Sequence, residues 1–194
     1  MRVRRIAGAW LCAAAVATLS SSAARGAGLP LIDAVKSGNT QTVNALLKQK
    51  TDVNAAEGDG TTALHHAAYG NNLELTRILL RAGANANAVN RYGVGPLRLA
   101  VEAGNPAVVE ALLKAGADPN ATLPQGESVL MTAARTGDPA TVRQLLVAGA
   151  KVNATEATQG QTPLMYAAVE NHAAALKVLL EAGADINATS KPLE

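Results

Sequence analysis

The chain has 194 residues, of which 48% are hydrophobic, 16% are charged and 2% are aromatic. Its formal net charge is +2, and no run of basic residues follows the first five positions. Tyr69, Tyr92 and Tyr166 are the only aromatic residues apart from Trp10. Nucleic-acid binding uses phosphate-neutralising charge and often aromatic stacking platforms, so this composition argues against nucleic acid as a partner.

Segment 1–27 has the pattern of a secretory signal. Three arginines fall within the first five positions, an apolar run extends from Ile6 to Leu19, and Ser20 to Ala24 are small. The run is shorter than the roughly 20 residues of a membrane-spanning helix. We therefore expect segment 1–27 to be removed, by cleavage after Ala24 or Gly26. The alternative is an uncleaved membrane anchor.

Cleavage changes the composition and the net charge of the chain. The only cysteine, Cys12, and the only tryptophan, Trp10, lie in the segment that is lost. After a cut at Ala24 the 17 basic residues fall to 14 against 15 acidic ones, a net charge of −1. The mature protein is then expected to be secreted, with the bacterial periplasm as its compartment. It would have no disulfide, no thiol chemistry and no membrane association.

A recurring phrase dominates the remainder of the sequence. It runs from Leu79 to Ala88 and returns from Leu112, Leu145 and Leu179, with a degraded copy from Leu46. Each copy contains an asparagine at the same place, and the interval between successive asparagines is constant except for the last, which is one residue longer. They are Asn54, Asn87, Asn120, Asn153 and Asn187. A fixed period of about 33 residues predicts a stack of similar supersecondary units, not one globular core.

Each unit has signals for two helices. In the second unit, Thr62 is a predicted N-cap whose hydroxyl meets the free amides of the first turn. A second helix is predicted over Leu73 to Arg81, and Gly83 ends it in the left-handed conformation. Residues 84–91 then form an extended turn. In the third and fourth units, Asn105 and Asp138 precede a proline, the combination that starts a helix.

These motifs resemble those of the ankyrin repeat family. The family's Thr-Pro-Leu-His tetrapeptide corresponds to segments 62–65, 95–98, 128–131 and 162–165, and its Leu-Leu-x-x-Gly-Ala-x-x-Asn signature is complete in four units. The resemblance implies an all-α solenoid of about five helix–turn–helix repeats with projecting β-hairpin loops. The predicted repeats are 28–57, 58–90, 91–123, 124–156 and 157–189, with a tail over 190–194.

Several positions depart from the family pattern. Gly95 has no hydroxyl to cap a helix, and Lys50-Thr51 replaces Gly-Ala in the first unit. One extra residue falls between 155 and 159, which we interpret as an insertion at a hairpin tip. The last helix, predicted over Ala173 to Glu181, remains apolar where a terminal repeat should be polar. Three explanations stay open: a longer chain, a stacking partner at the C-terminal repeat, or a tolerated edge.

The sequence contains no set of residues typical of an enzyme. Adjacent His65 and His66 point about 100° apart on a helix and cannot share a metal. The resemblance implies that His65 braces the hairpin, and His172 is expected to be solvated. Three sequons, at Asn120, Asn153 and Asn187, coincide with the repeat's turn asparagine, which favours a bond to nearby backbone over glycosylation. No catalytic residue, cofactor or metal is predicted.

The family resemblance also implies where a partner would bind. Ankyrin partners usually contact the hairpin tips and the exposed side of the first helix of each repeat. Among these positions, tyrosine and arginine are the residue types that dominate binding hot spots. The predicted protein-binding residues are Asp59, Thr61, Tyr69, Arg91, Tyr92, Val94, Glu102, Gln125, Glu127, Arg135, Gln159, Gln161 and Glu170.

The predicted function is therefore a secreted scaffold that binds another protein, because a solenoid offers a long surface and no enclosed active site. One alternative is an accessory protein that supports a periplasmic enzyme of oxidant detoxification, as some similar periplasmic ankyrin proteins do. Another is the N-terminal interaction domain of a longer chain. The sequence does not identify the partner.

Overall fold

A computed structural model describes residues 29–191, so the predicted signal segment lies outside the described residues. Ten helices occupy this range, seven to nine residues each, and no regular strand occurs within it. The helices are α1 (Pro30–Lys36), α2 (Thr40–Lys48), α3 (Ala63–Tyr69), α4 (Leu73–Arg81), α5 (Pro96–Glu102), α6 (Pro106–Lys114), α7 (Val129–Thr136), α8 (Pro139–Val147), α9 (Pro163–Val169) and α10 (Ala173–Glu181).

The helices form two stacked layers. Each odd-numbered helix packs against the even-numbered helix that follows it, and the odd-numbered helices also pack side by side in chain order. We call the odd-numbered helices the inner layer and the even-numbered helices the outer layer. Neighbouring repeats therefore supply most of each other's contacts, and the predicted all-α repeat solenoid is confirmed.

The core lies between the two layers. Leu64, Leu97 and Leu130 from the inner layer meet Leu79, Leu112 and Leu145 from the outer layer, and all six are buried. Alanines such as Ala67, Ala100 and Ala133 are also buried in the inner helices. Small side chains at these positions let the stacked helices approach closely.

Local sequence signals explain where the helices begin and end. The α4 helix begins at Leu73 and ends at Arg81, as predicted. The side chains of Asn105 and Asp138 accept hydrogen bonds from the first-turn amides of α6 and α8. Gly83 has φ of +90°, whereas Lys50 takes the same left-handed conformation, with φ of +60°, after α2. The first repeat therefore has a costlier turn than its neighbours, because a side chain disfavours that conformation.

The start of α3 has Thr62 as its N-cap, as predicted. Thr62 forms a capping box with His65, and its hydroxyl also lies 2.8 Å from Nδ1 of that residue. The backbone N–H of Thr62 donates to the same nitrogen at 3.1 Å, and Nε2–H of His65 donates to the Val94 carbonyl at 3.1 Å. His65 is fully buried, and its bond to Val94 links α3 to the loop before α5.

The turn asparagines connect neighbouring repeats. The Asn87 side chain donates to the Gly116 carbonyl at 2.8 Å and accepts from the Asp118 N–H at 2.7 Å. Asn54, Asn120 and Asn153 make the same pair of bonds to the repeat that follows each of them. The side chains bind backbone groups, as expected, and those groups belong to the next repeat. We call this row the asparagine ladder.

The loops that project between successive helix pairs contain isolated β-bridges, Ala56 with Thr62 and Thr122 with Ser128, and we call these loops hairpins. A second row of hydrogen bonds joins their tips. The N–H of Arg91 donates to the Asp59 carbonyl at 2.8 Å, and the N–H of Ala157 donates to the Gln125 carbonyl at 2.9 Å. Between these two links the equivalent donor position is Pro124, which has no N–H. The tip-to-tip row is therefore interrupted between the third and fourth repeats.

The inserted loop of the fifth repeat is organised by one carboxylate. Glu156 is buried, and its side chain accepts hydrogen bonds from the backbone N–H groups of Thr158, Gln159 and Gln161 at 2.6, 2.7 and 3.0 Å. These bonds, led by the one from Gln161, lower the pKa of Glu156. The inserted loop is thus an ordered turn around the Glu156 carboxylate, a residue that the sequence analysis did not identify as important.

One C-terminal expectation needs correction, and one contact at this end was not predicted. His172 is not simply solvated, because its Nε2–H donates to the Arg135 carbonyl at 3.0 Å and its ring covers Gly137. The predicted tail is also attached as far as it is described. The N–H of Lys191 donates to the Gln159 carbonyl at 2.6 Å, which is the tip-to-tip bond that a further repeat would make. Residues 192–194 lie outside the described range.

Residues 29–191 include no helix that is long and apolar enough to cross a membrane. The exposed apolar side chains at the C-terminal end are Val169, Leu180 and Ile186. The apolar last helix that the sequence predicted is only partly exposed, since Val178 and Leu179 are buried.

The asparagine ladder gives the first prediction. Asn87→Ala removes two inter-repeat hydrogen bonds and should lower the free energy of unfolding by about 1–3 kcal/mol, since two backbone groups lose their partners. Asn187→Ala is the matched control. It changes the same repeat position where no repeat follows in the described chain, and it should cost under ~0.5 kcal/mol. Urea unfolding of both variants measures the difference, and equal midpoints would contradict the ladder's role.

The buried histidine gives a pH prediction. Burial lowers the pKa of His65 below its ordinary value of 6.5. Below pH 6.5 the unfolded chain therefore binds a proton that the folded protein resists, so stability falls as pH drops towards the folded-state pKa. His65→Met places there the residue found at the equivalent Met131 and Met165, and it should flatten this part of the stability profile. Denaturant melts of both proteins between pH 7.5 and pH 5 (roughly spanning the unfolded pKa) test this, and parallel profiles would contradict it.

Candidate protein-binding surface

The predicted binding residues form two rows along the solenoid. Asp59, Tyr92, Gln125 and Gln159 occupy one repeat position, at the hairpin tips, and we call them the tip row. Tyr69, Glu102 and Arg135 occupy another, at the C-terminal ends of α3, α5 and α7, and we call them the helix-end row. Successive members of a row lie on neighbouring repeats, at about 10 Å for packed helices. The inner helices run between the two rows.

Tyr92 is the side chain of the tip row that is most available to a partner. Its side chain is 62% exposed, and its backbone N–H is held by the Asn90 side chain at 3.0 Å. The tip is therefore ordered while the ring projects into solvent. A rigid aromatic side chain on an ordered turn loses little conformational entropy on binding.

Arg91, in contrast, is already used within the protein. Its guanidinium donates to the Gly58 carbonyl at 2.5 Å, and its N–H holds the tip of the preceding repeat. Lys191 makes the equivalent side-chain bond to Ala157 at 2.8 Å. The structure thus places Arg91 in the contact between two tips, although the residue is exposed.

Four other predicted tip residues also serve the hairpins. Asp59 accepts from the Thr61 N–H at 2.9 Å, and this bond lowers the pKa of the Asp59 carboxyl. The carbonyl of Val94 accepts the His65 bond, and the N–H of Gln161 donates to Glu156. Thr61, Val94 and Gln161 are all half-buried. Of the remaining tip residues, Gln125 is exposed and Gln159 is half-buried.

The helix-end row combines an exposed tyrosine with paired charges. Tyr69, the last residue of α3, is 68% exposed. Glu102 accepts from Nε of Arg98 at 3.0 Å, and Arg135 lies 3.6 Å from a carboxylate oxygen of Glu127. Glu170 is exposed beyond the end of α9. Tyr69 is consequently the row's exposed apolar group.

Arg98 is the centre of the charged cluster, and the sequence analysis did not choose it. It is 8% exposed and donates from Nη2 to Glu127 at 3.0 Å as well as from Nε to Glu102. Glu127 also accepts from the Thr132 hydroxyl at 3.3 Å. The sequence signal was present, because Arg98 stands at the repeat position of His65 and both side chains reach the hairpin of the following repeat.

Tyr166 lies beside this cluster on α9. It is half-buried, and burial, followed by the negative charge of Glu127, raises the pKa of its hydroxyl. Tyr166 therefore stays neutral over the physiological range. It belongs to the packed part of the inner layer and offers less surface than Tyr69 or Tyr92.

A second charged group lies at the N-terminal end of the inner layer. Glu57 accepts from Nζ of Lys36 at 2.6 Å and from Nε2 of His66 at 2.7 Å. The bond from Lys36, followed by that from His66, lowers the pKa of Glu57. In both clusters positive and negative side chains are paired, so the net electric field of the inner layer is weak in either region.

Within residues 29–191 no three His, Cys, Asp or Glu side chains are arranged to hold a metal ion. The adjacent histidines are used separately, His65 in the hairpin brace and His66 with Glu57. Ser128 caps α7 by accepting from the Met131 N–H at 3.2 Å. The polar groups of the inner layer are thus assigned to stacking and capping.

Comparison with known proteins agrees with this geometry. A family model described as ankyrin repeats in three copies matches residues 31–123 and 116–190. A search among curated proteins finds no match. The two matched segments overlap and together span nearly all of the described helices. The repeated helix pairs, the bracing His65 and the family match lead to one conclusion: the chain belongs to the ankyrin repeat family.

Proposed function

We propose that this protein is a secreted, periplasmic scaffold that binds another protein through its tip row and helix-end row. Ankyrin repeats are generally scaffolds for protein interaction. The observation that carries the proposal is the placement of Tyr69 and Tyr92, which expose 68% and 62% of their surface on those two rows. Tyrosine supplies a large apolar area together with a hydroxyl, the combination enriched at binding hot spots.

The charges around these rings define the partner's chemistry. Arg98, Glu102, Glu127 and Arg135 neutralise one another, so this part of the inner layer lacks a strong electric field. A partner with a mixed polar and apolar surface fits this arrangement better than a highly charged one. Electrostatic steering contributes little to association with such a surface, and affinity depends on burial of the rings.

The binding proposal is tested with matched alanine variants. The immobilised mature protein captures its partner from a periplasmic extract after crosslinking, and the captured protein is purified for titration. Tyr92→Ala and Tyr69→Ala should each weaken binding by more than ~1 kcal/mol, or about fivefold or more, because each removes a buried aromatic contact. Stability should change by under ~0.5 kcal/mol.

Two control variants make this test specific. Val147→Ala removes an exposed apolar side chain of the outer layer and should leave binding unchanged. Arg91→Ala should lower the melting temperature, since Arg91 joins two hairpin tips. If a folded Tyr69→Ala/Tyr92→Ala double variant binds the partner with unchanged affinity, the proposal that the two rows form the binding surface is contradicted.

The export proposal rests on segment 1–27. The positive start, the apolar run and the small residues before Arg25 are the features of a cleavable signal. N-terminal sequencing of the protein from the periplasmic fraction should therefore begin at Arg25 or Ala27. The cytosolic fraction serves as the control for incomplete export. Recovery of the chain with Met1 intact in the membrane fraction would contradict the proposal.

A further inference from the structure

Three Asn-x-Thr motifs lie in the described part of the chain, at Asn120, Asn153 and Asn187. Asn-x-Ser/Thr is the acceptor motif for N-linked glycans in secreted proteins. All three asparagines occupy the same repeat position, so the motif by itself does not distinguish them. Their surroundings do, because this position faces the repeat that follows.

The asparagine ladder occupies the first two of these side chains. Nδ2 of Asn120 donates to the Gly149 carbonyl at 3.0 Å, and its Oδ1 accepts from the Lys151 N–H at 2.9 Å. Asn153 makes the equivalent bonds to the fifth repeat, at 3.2 and 2.9 Å. Transfer of a glycan to either amide requires both bonds to break, since the amide must leave its place between two repeats.

The backbone that follows Asn120 is held as well. The Ala121 carbonyl accepts from the Val129 N–H at 3.1 Å, and Thr122 forms a β-bridge with Ser128. An enzyme that binds this motif therefore has to detach a hairpin from the start of α7 in addition to opening the ladder. Asn120 is also half-buried.

Asn187 differs from both. It is exposed, and its side chain makes no hydrogen bond within residues 29–191. Its N–H donates to the Asp185 side chain at 2.9 Å, and the Ala188 N–H donates to the Asp185 carbonyl at 3.4 Å. Both bonds lie inside one short turn, and neither joins two repeats. Thr189, whose hydroxyl completes the motif, is exposed too. An enzyme can therefore bind residues 187–189 without opening the ladder.

We propose that Asn187 is an acceptor site for an N-linked glycan and that Asn120 and Asn153 are not. The co-substrate is an oligosaccharide carried on a polyprenyl pyrophosphate. Nδ2 of Asn187 forms a bond to the anomeric carbon of the first sugar, and the bond from that carbon to the pyrophosphate oxygen breaks. The electron pair of the broken bond leaves with the pyrophosphate, and a base of the enzyme takes the proton that Nδ2 loses.

The inference rests on the proposed function, because the motif is an acceptor only in an exported chain. It adds a modification to that chain at a place remote from the binding rows. Tyr92 lies two repeats before Asn187, about 20 Å away at the spacing of packed helices. The glycan would instead cover Ile186, which is 73% exposed beside the acceptor.

The test uses the folded mature protein and a purified oligosaccharyltransferase that reads Asn-x-Ser/Thr alone, with a lipid-linked oligosaccharide as donor. Intact mass should show one added glycan, and peptide mass spectrometry should place it on Asn187. Asn153 is the internal control, since it is exposed but belongs to the ladder. Its modification should be about tenfold or more slower, the ratio that corresponds to two ordinary hydrogen bonds.

Matched variants and peptides separate the motif from the fold. Thr189→Val should abolish modification of Asn187, and Thr189→Ser should keep it. Thr155→Val changes the Asn153 motif in the same way and should leave modification of Asn187 as in wild type. Synthetic peptides of segments 118–124, 151–157 and 185–191 lack the ladder, so the enzyme should modify all three.

A second enzyme tests the residues before the acceptor. An oligosaccharyltransferase of the bacterial type, which also requires an acidic residue two positions before the asparagine, should modify Asn187 because Asp185 stands there. Asp185→Asn should abolish modification by this enzyme and keep modification by the first one.

The outcomes distinguish this inference from the proposed function. No glycan on Asn187 of the folded protein with either enzyme, or equal rates at Asn153 and Asn187, would overturn the site. The reaction with purified protein does not depend on export in the cell. N-terminal sequencing of the exported protein therefore decides the export proposal separately, and the tyrosine variants decide the binding proposal.

Discussion

The structure depends on contact between neighbouring repeats. A single pair of seven- to nine-residue helices is too short to be stable alone, because helix nucleation is costly and the apolar face has nothing to cover it. Stacking covers that face, and the asparagine ladder fixes the alignment of each repeat on the next. Each ladder side chain binds one carbonyl and one N–H of the following repeat, so it specifies position as well as adding stability.

The same nearest-neighbour logic explains why many groups of the hairpin tips are bonded within the protein. A hairpin that projects from the helices has backbone groups to satisfy, and the adjacent hairpin provides them. Arg91, Val94 and Asp59 are examples, because each bonds across or within the tips. The aromatic ring of Tyr92 remains exposed in this arrangement. The backbone of Tyr92 is held by a hydrogen bond, whereas its side chain takes no part in the hydrogen bonds of the hairpin.

Departures from the repeat pattern are informative for the same reason. In a stack of similar units, a changed residue alters one junction and leaves the others as they were. Arg98 and Pro124 both act on the junction between the third and fourth repeats, where they add a buried charge and remove a tip bond. Glu156 shows the opposite case, since a buried carboxylate there compensates an inserted residue.

The sequence by itself determined the repeat, the bounds of α4 and α10 and the turn that ends α4, because these follow from short-range rules. Spacing of leucines, proline after Asn105 and the left-handed Gly83 act within a few residues, and α4 has the predicted ends. The tertiary structure alone decided the partners of Asn87, the use of Arg91 and the burial of Arg98. Those contacts join atoms that belong to different repeats, and their geometry exists only once one repeat is stacked on the next.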